Sequence, residues 1–216
     1  MAKIQTNPNN WKFVGGRLCL DFINTVGGRV GASTVLRDKL ADYRDLLDWS
    51  RLAGIANPTE SRSLARVAES HLQRAQATLA RAVLLREALY RIFKSVTAGR
   101  RLSKTDLDIL SRELRVARAR ERLTHTHGAF GWTFEDEPAL DRILWPVSIS
   151  AADLLISSDL SRLRQCGGEE CGWMFLDTSR NRSRQWCDMK DCGNRAKVRR
   201  FRKRQQRSPT RPRSAK

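Results

Sequence analysis

Apolar residues recur at helical spacing over most of the chain. From Leu40 to Leu52, the positions Leu40, Tyr43, Leu46, Leu47 and Trp49 share one helical face, and Gly54 with Pro58 supplies the stop. A long helical stretch runs from Pro58 to about Ala98, as two helices or one bent one. Leu79, Val83, Leu84, Leu89, Ile92, Phe93 and Val96 form the inward stripe of its second half, with Arg91 and Lys94 off that stripe and Gly99 at its end. Ser103 to Asp106 has capping-box spacing with Asp in place of Glu, and Leu107, Leu110, Leu114 and Ala117 then share a face. Residues 11–28 form a short apolar opening element of ambiguous period, with a turn at Gly15-Gly16 and a second glycine pair closing it.

Between Arg122 and Asp136 the period changes. Leu123, His125 and His127 alternate with Thr124 and Thr126, Gly128 to Gly131 makes a turn, and Trp132-Thr133-Phe134 follows, which predicts a two-stranded hairpin. Pro138 opens a last helix carrying Leu140, Ile143, Leu144, Val147, Ala151, Leu154 and Leu155, interrupted near Trp145-Pro146. Ser158 to Leu163 adds a helical turn. The tail from Arg207 has two prolines and no apolar residue except Ala215, the composition of disorder.

Composition adds a partner to this picture. The chain has 216 residues, 40% of them hydrophobic, enough for a core in one domain of ordinary size plus a smaller module. Its 41 Lys+Arg against 23 Asp+Glu give a net charge of +18, which favours nucleic acid or an anionic membrane surface. The charge is segregated: residues 162–216 hold 17 basic and 5 acidic residues, and none from Arg195 to Lys216 is acidic. Codon bias accounts for arginine over lysine but not for that placement. The longest uncharged stretch, Leu123 to Phe134, is far short of the ~20 apolar residues of a spanning helix, and the first twenty residues lack a secretory signal pattern. The expectation is a cytoplasmic protein, on the nucleoid when bound to DNA, with no membrane partner.

In a reducing compartment, paired cysteines point to metal before disulfide. Cys166 and Cys171 are separated by four residues, fifteen follow, and Cys187 and Cys192 are again separated by four. Two such pairs can close a tetrahedral four-thiolate zinc site, structural because no coordination position is left open. Trp173, Phe175, Leu176 and Trp186 supply only a minimal core, so metal binding would provide the missing folding energy.

The residues after Cys192 form a basic helix in which Asn194, Val198, Phe201 and Gln205 share a stripe. Arg195, Arg199, Arg202 and Lys203 lie on its flank, with Lys197 and Arg200 adding charge. Such a ridge suits the major groove or a phosphate track, and Arg180, Arg182 and Arg184 between the cysteine pairs add a second basic edge. Asn194 reads equally as a cap and as a base reader.

The segment Cys166 to Arg204 resembles the CGNR zinc finger, above all in GWMFLDTSRNRSRQWC at 172–187 and CGNRAKVRRFR at 192–202. The upstream segment is similar to the helix-rich ABATE domain that precedes this finger in bacterial stress-induced transcription regulators, through LCLDFINTV at 18–26 and LWPVSISAADLL at 144–155. The resemblance maps Cys166, Cys171, Cys187 and Cys192 onto zinc ligands and Gly193, Asn194 and Arg195 onto the signature, and it implies DNA-linked regulation.

Other residues read as structural. His125 and His127 would share a strand face and could chelate, but lack acidic or cysteine partners nearby in sequence. Cys19 reads as a small buried hydrophobe, and Trp11, Trp49, Trp132 and Trp145 as core or the lining of an effector pocket. No Ser-His-Asp, phosphate-loop or dinucleotide motif argues for an enzyme. The expected fold is mainly α: a helix-rich domain at 1–160 with a small β-hairpin, then a small four-cysteine zinc finger at 164–206 and a disordered basic tail at 207–216. The expected function is zinc-dependent binding of double-stranded DNA in transcriptional regulation, with one structural zinc per chain. The helical domain would sense a small-molecule effector or form a homodimer. An RNA-binding or ribosome-associated zinc protein is the alternative.

Overall fold

A computed structural model describes residues 10–30, 34–35, 37–126, 128–135 and 137–207. Seven α-helices occur among these: α1 Leu18–Ile23, α2 Tyr43–Leu52, α3 Pro58–Ser70, α4 Leu72–Thr97, α5 Lys104–Ala119, α6 Leu144–Ile156 and α7 Asn194–Arg207. Three two-stranded antiparallel pairs join them: β1 Arg29–Val30 with β2 Thr34–Val35, β3 Glu121–Thr126 with β4 Ala129–Phe134, and β5 Leu163–Gln165 with β6 Met174–Leu176. The chain is mainly α, with its four-cysteine module at the C-terminal end.

Local chemistry sets the helix ends. Asp42 and Asp45 form a reciprocal capping box at the start of α2, so that helix begins three residues after Leu40, and Asn57 with Glu60 does the same for α3. The Pro58–Ala98 stretch is two helices, divided at His71. There the ring Nδ1 lies 3.1 Å from the Val67 carbonyl, the acceptor that a continuing helix would offer to the His71 amide, and that amide bonds Ala68 instead. Ser103 caps α5 by accepting from the Asp106 amide, but the Asp106 carboxylate takes three bonds from Arg91, at 2.6 to 3.0 Å, and no second bond closes the box.

The 26-residue α4 is the spine, in contact with α1, α2, α3 and α5, and α6 closes the body against α1 and α5. Its buried face runs through Ala82, Leu85, Arg86, Leu89 and Phe93, an i, i+3, i+4, i+7 row. Leu84 is exposed, a correction to the expected stripe, and Arg86 occupies a core position at 1% exposure. Its guanidinium donates to both oxygens of Asp38, at 2.7 and 2.6 Å, and to Glu87 at 2.9 Å. On α5 the buried row is Asp106, Leu110, Glu113 and Ala117, with Leu107 and Leu114 only half-buried. The two acids there meet Arg91 and Arg81.

Two further expectations change. Pro146 is the third residue of α6, where an amide has no intrahelical acceptor, so the helix runs through it. The irregularity lies earlier, in a 3₁₀ turn at Leu140–Ile143, and Pro138 precedes rather than opens that turn. The hairpin turn spans two residues, because Thr126 pairs with Ala129 and Gly131 sits within β4 opposite Thr124. His127, at that turn, lies outside the described residues, as do residues 208–216 of the expected tail, while Arg207 ends α7.

The body and the cysteine module have separate cores that meet at β6. All three residues of β6 are buried, and successive side chains of a strand point to opposite faces, so Met174 and Leu176 join the main core while Phe175 packs with the cysteines. Asn24 pairs with the Met174 backbone in both directions, its side-chain amide donating to the carbonyl at 2.8 Å and its oxygen accepting from the amide at 2.9 Å.

Candidate metal centre and nucleic-acid face

Cys166 follows directly from β5, Cys171 sits in the loop back to β6, Cys187 ends the next loop, and Cys192 lies in a wide turn at Met189–Gly193 that leads into α7. The four are buried, and their sulfurs all lie within 4.8 Å of one another, with Cys171–Cys187 at 3.6 Å and Cys187–Cys192 at 3.7 Å. A tetrahedron with Zn–S of ~2.3 Å has S···S edges of about 3.8 Å, so the donor set matches zinc in spacing as well as in chemistry.

The surroundings keep this arrangement. The Cys187 amide donates to the Cys166 sulfur at 3.3 Å and Arg195 donates to the Cys192 sulfur at 3.1 Å, both bonds that favour thiolate. A Cβ at Gly168 would stand 3.1 Å from the Cys171 Cβ, a tight contact, and at ordinary contact distance from the Cys192 and Cys166 sulfurs, at 3.4 and 3.6 Å. Hydrogen bonds from the Cys171 and Cys187 thiols hold Cys166 well below the usual thiol range and push those two donors up. Four sulfurs this close can all become thiolates only with a cation to neutralise them.

The body carries the module from below. The Arg29 amide donates to the Cys171 carbonyl at 3.1 Å, Trp173 Nε1 donates to the Val26 carbonyl at 2.5 Å, and Lys12 pairs with Asp191 and Asp188 at 3.1 and 3.4 Å.

Beyond the cysteines, α7 packs on the turn before it and then stands clear, with Val198 and Phe201 at 49% and 61% exposure. The stripe of Asn194, Val198, Phe201 and Gln205 is therefore exposed along its length. Its cations divide into two groups. Arg195 is held by Cys192 and Asp191, and Arg199 by Glu169 at 3.2 Å. Lys197, Arg200, Arg202 and Lys203 have no carboxylate partner among the described residues. Of the loop arginines, Arg180 and Arg182 are exposed, whereas Arg184 is put to a different use. Its guanidinium lies over the Phe175 ring at 4.3 Å and donates to the carbonyls of Trp186, Leu176, Val14 and Cys187. Asn194 is exposed and donates to the Lys190 carbonyl at 3.0 Å.

With this geometry in view, the family comparisons become specific. The CGNR zinc finger profile matches residues 162–205, and the ABATE profile, described as "Putative stress-induced transcription regulator", matches residues 16–158. The chain belongs to the ABATE family. No curated protein matches it. A CGNR zinc finger whose four cysteines lie this close can bind a single metal ion, consistent with one structural zinc. The ABATE motif at 18–26 supplies Cys19, Leu20, Phe22 and Ile23 to the core and Asn24 to the finger's strand. No described helix of this ABATE protein is long and apolar enough to cross a membrane.

Sequence reasoning missed Lys12, Arg29 and Asn24, which tie the body to the finger from at least 140 positions away along the chain. Nothing in local patterning marks such contacts. Cys19 is fully buried, with its amide donating to Ser150 and its thiol pushed up to about 12 by burial. Trp11, Trp49 and Trp145 are core, and Trp132 is 68% exposed.

Proposed function

We propose that the chain is a zinc-dependent regulator of transcription that binds double-stranded DNA through its finger. In this reading Cys166, Cys171, Cys187 and Cys192 hold the zinc, and the metal fixes the direction in which α7 leaves the body. The carrying observation is the set of exposed cations on that helix, Lys197, Arg200, Arg202 and Lys203, which have no carboxylate partner among the described residues, whereas Arg29, Arg81, Arg86 and Arg91 of the helical body are paired. Unpaired arginine and lysine on a projecting helix suit phosphate contact, and Arg180 and Arg182 extend the same chemistry into the loop. Arg195, Arg199 and Arg184 act instead on the finger, holding Cys192, the loop at Glu169 and the β6 end.

The helical domain, residues 1–160, is the sensing or dimerising part of the reading, and the finger at 164–206 the reading head. An apolar cavity of about 320 Å³ between α2, α3 and α4, lined by Tyr43, Leu47, Ala68, Leu72, Ala75 and Leu79, supports an effector site and falls within the ~300–1,000 Å³ of small-molecule clefts. Leu123, Phe130 and Trp132, exposed on one face of the hairpin, support a homodimer contact. No catalysis is assigned, in keeping with the family's description. Direct competition between duplex DNA and structured RNA for the zinc-loaded chain tests the reading. Preference for the duplex is expected, and preference for RNA would replace it with the RNA-binding alternative.

A further inference from the structure

Most arginines of the helical body are ion-paired: Arg29 with Glu87, Arg81 with Glu113 and Asp141, Arg86 with Asp38, Arg91 with Asp106. Against that habit, Lys94, Arg100, Arg101 and Arg164 have no carboxylate partner among the described residues, and all four line one open cleft of about 1110 Å³. The end of α4 and the turn after it, the start of α5, and β5 form its walls. Gly99, at φ +60, reverses the chain between the two helices and so places Arg100 and Arg101 at the rim, both exposed. The acid in the cleft, Asp106, is neutralised by Arg91, so the lining carries a net charge of +4, with Arg164 donating to the Ser161 and Leu163 carbonyls and near enough to Asp177 to interact with its charge.

We infer that this cleft is a second DNA-backbone surface, contributed mainly by the helical domain with Arg164 from the start of the finger segment, and gripping phosphates of the duplex that the finger reads. Three features favour a polyanion over a small ligand. The volume exceeds that of small-molecule clefts, the cleft is open to solvent, and its cations come from three separate elements, α4, the turn after it and β5. Guanidinium groups match phosphate oxygens in geometry and remain charged at all relevant pH. The cleft also adjoins the finger along the chain: Gln165, at its β5 wall, donates to the Tyr90 hydroxyl at 3.2 Å and immediately precedes Cys166, so β5 leads from the cleft into the metal site. This inference rests on the duplex-binding reading above and extends it to the family domain that carries most of the chain.

The test measures duplex affinity against salt for the full zinc-loaded chain, on a duplex of several helical turns. Each phosphate contact contributes about 0.9 to the logarithmic salt slope, so Arg100→Ala with Arg101→Ala should lower it by about 1 to 2. Arg100→Lys with Arg101→Lys should keep it. Both arginines are exposed and unpaired, so melting temperature and zinc content should stay at wild-type values in either variant. An unchanged slope in the alanine pair, while Arg200→Ala with Arg202→Ala flattens it, overturns the cleft and leaves the finger reading intact. Absence of duplex binding by the wild-type chain removes both. A slope change seen on structured RNA and not on duplex overturns the assignment to DNA.

Discussion

The backbone of Arg29 donates to the Cys171 carbonyl at 3.1 Å, while the guanidinium of the same residue grips Glu87 of α4 at 2.6 and 3.0 Å and lies over the Tyr90 ring. One residue therefore fastens a cysteine of the finger to the spine of the body. Gly172 completes the fit: at φ +66, a side chain there would stand 2.8 Å from the Arg29 Cβ. Gly172→Ala combines backbone strain with that clash and is expected to cost about 1–3 kcal/mol in stability. Thermal melting together with metal analysis checks it: a lower melting temperature with zinc retained is expected, and an unshifted melt would show that the two parts are not joined here.

The buried Arg86 makes a second prediction. Asp38→Ala leaves that guanidinium with Glu87 and Thr25 but without its two-pronged partner; breaking a fully buried pair costs about 3–5 kcal/mol, an upper bound here because the Asp38 side chain is 38% exposed. The lower end is expected because the Glu87 bond survives. Denaturant unfolding measures it, and a loss below about 1 kcal/mol would mean that the pair is not structural.

Helices were legible where apolar spacing is regular, as in α2 and α5, although the capping boxes at Asp42 and Asn57 that set two helix starts went unread, and the cysteine set was legible from its spacing alone. Hydropathy favours the apolar residue, so it places Leu84 in the inward stripe and passes over Arg86, whereas burial follows helical phase once Asp38 is there to pair. β6 was hidden for another reason. Buried on both faces, Met174-Phe175-Leu176 shows no polar alternation, and its function as the joint between two cores depends on Asn24, 150 positions away. Likewise, the division of α7 cations into held and free groups turns on Glu169 and Asp191, which only the folded chain brings near.

Thiol reactivity separates the fifth cysteine from the four. Burial pushes the Cys19 thiol up to about 12, so it is both inaccessible and protonated at neutral pH. In native buffer no cysteine should react readily with a thiol reagent. With a chelator present, four of the five should react, and Cys19 only after global unfolding. Five reactive thiols upon chelation would show that zinc holds the whole body and not the finger alone.

Asp21 gives a pH dependence of definite sign. Burial pushes its carboxyl up to about 6, against hydrogen bonds from the Gly15 and Val14 amides. The folded chain thus holds this proton more tightly than the unfolded one, whose Asp titrates near ~3.9. The associated stability is fully present below that value and is lost as pH rises through about 6. Asp21→Asn carries no such loss, so the variant should gain on the wild type between pH ~4 and ~6. Unfolding curves across that window measure it, and a constant difference would contradict the burial account.

The central claim is that the free cations of a zinc-aimed helix bind DNA phosphates. The most direct measurement is the salt dependence of duplex affinity for the wild type and for Arg200→Ala with Arg202→Ala, both zinc-loaded. Loss of two phosphate contacts should flatten the logarithmic slope by up to about 1.8 with zinc content unchanged. An identical slope in the two proteins would contradict it.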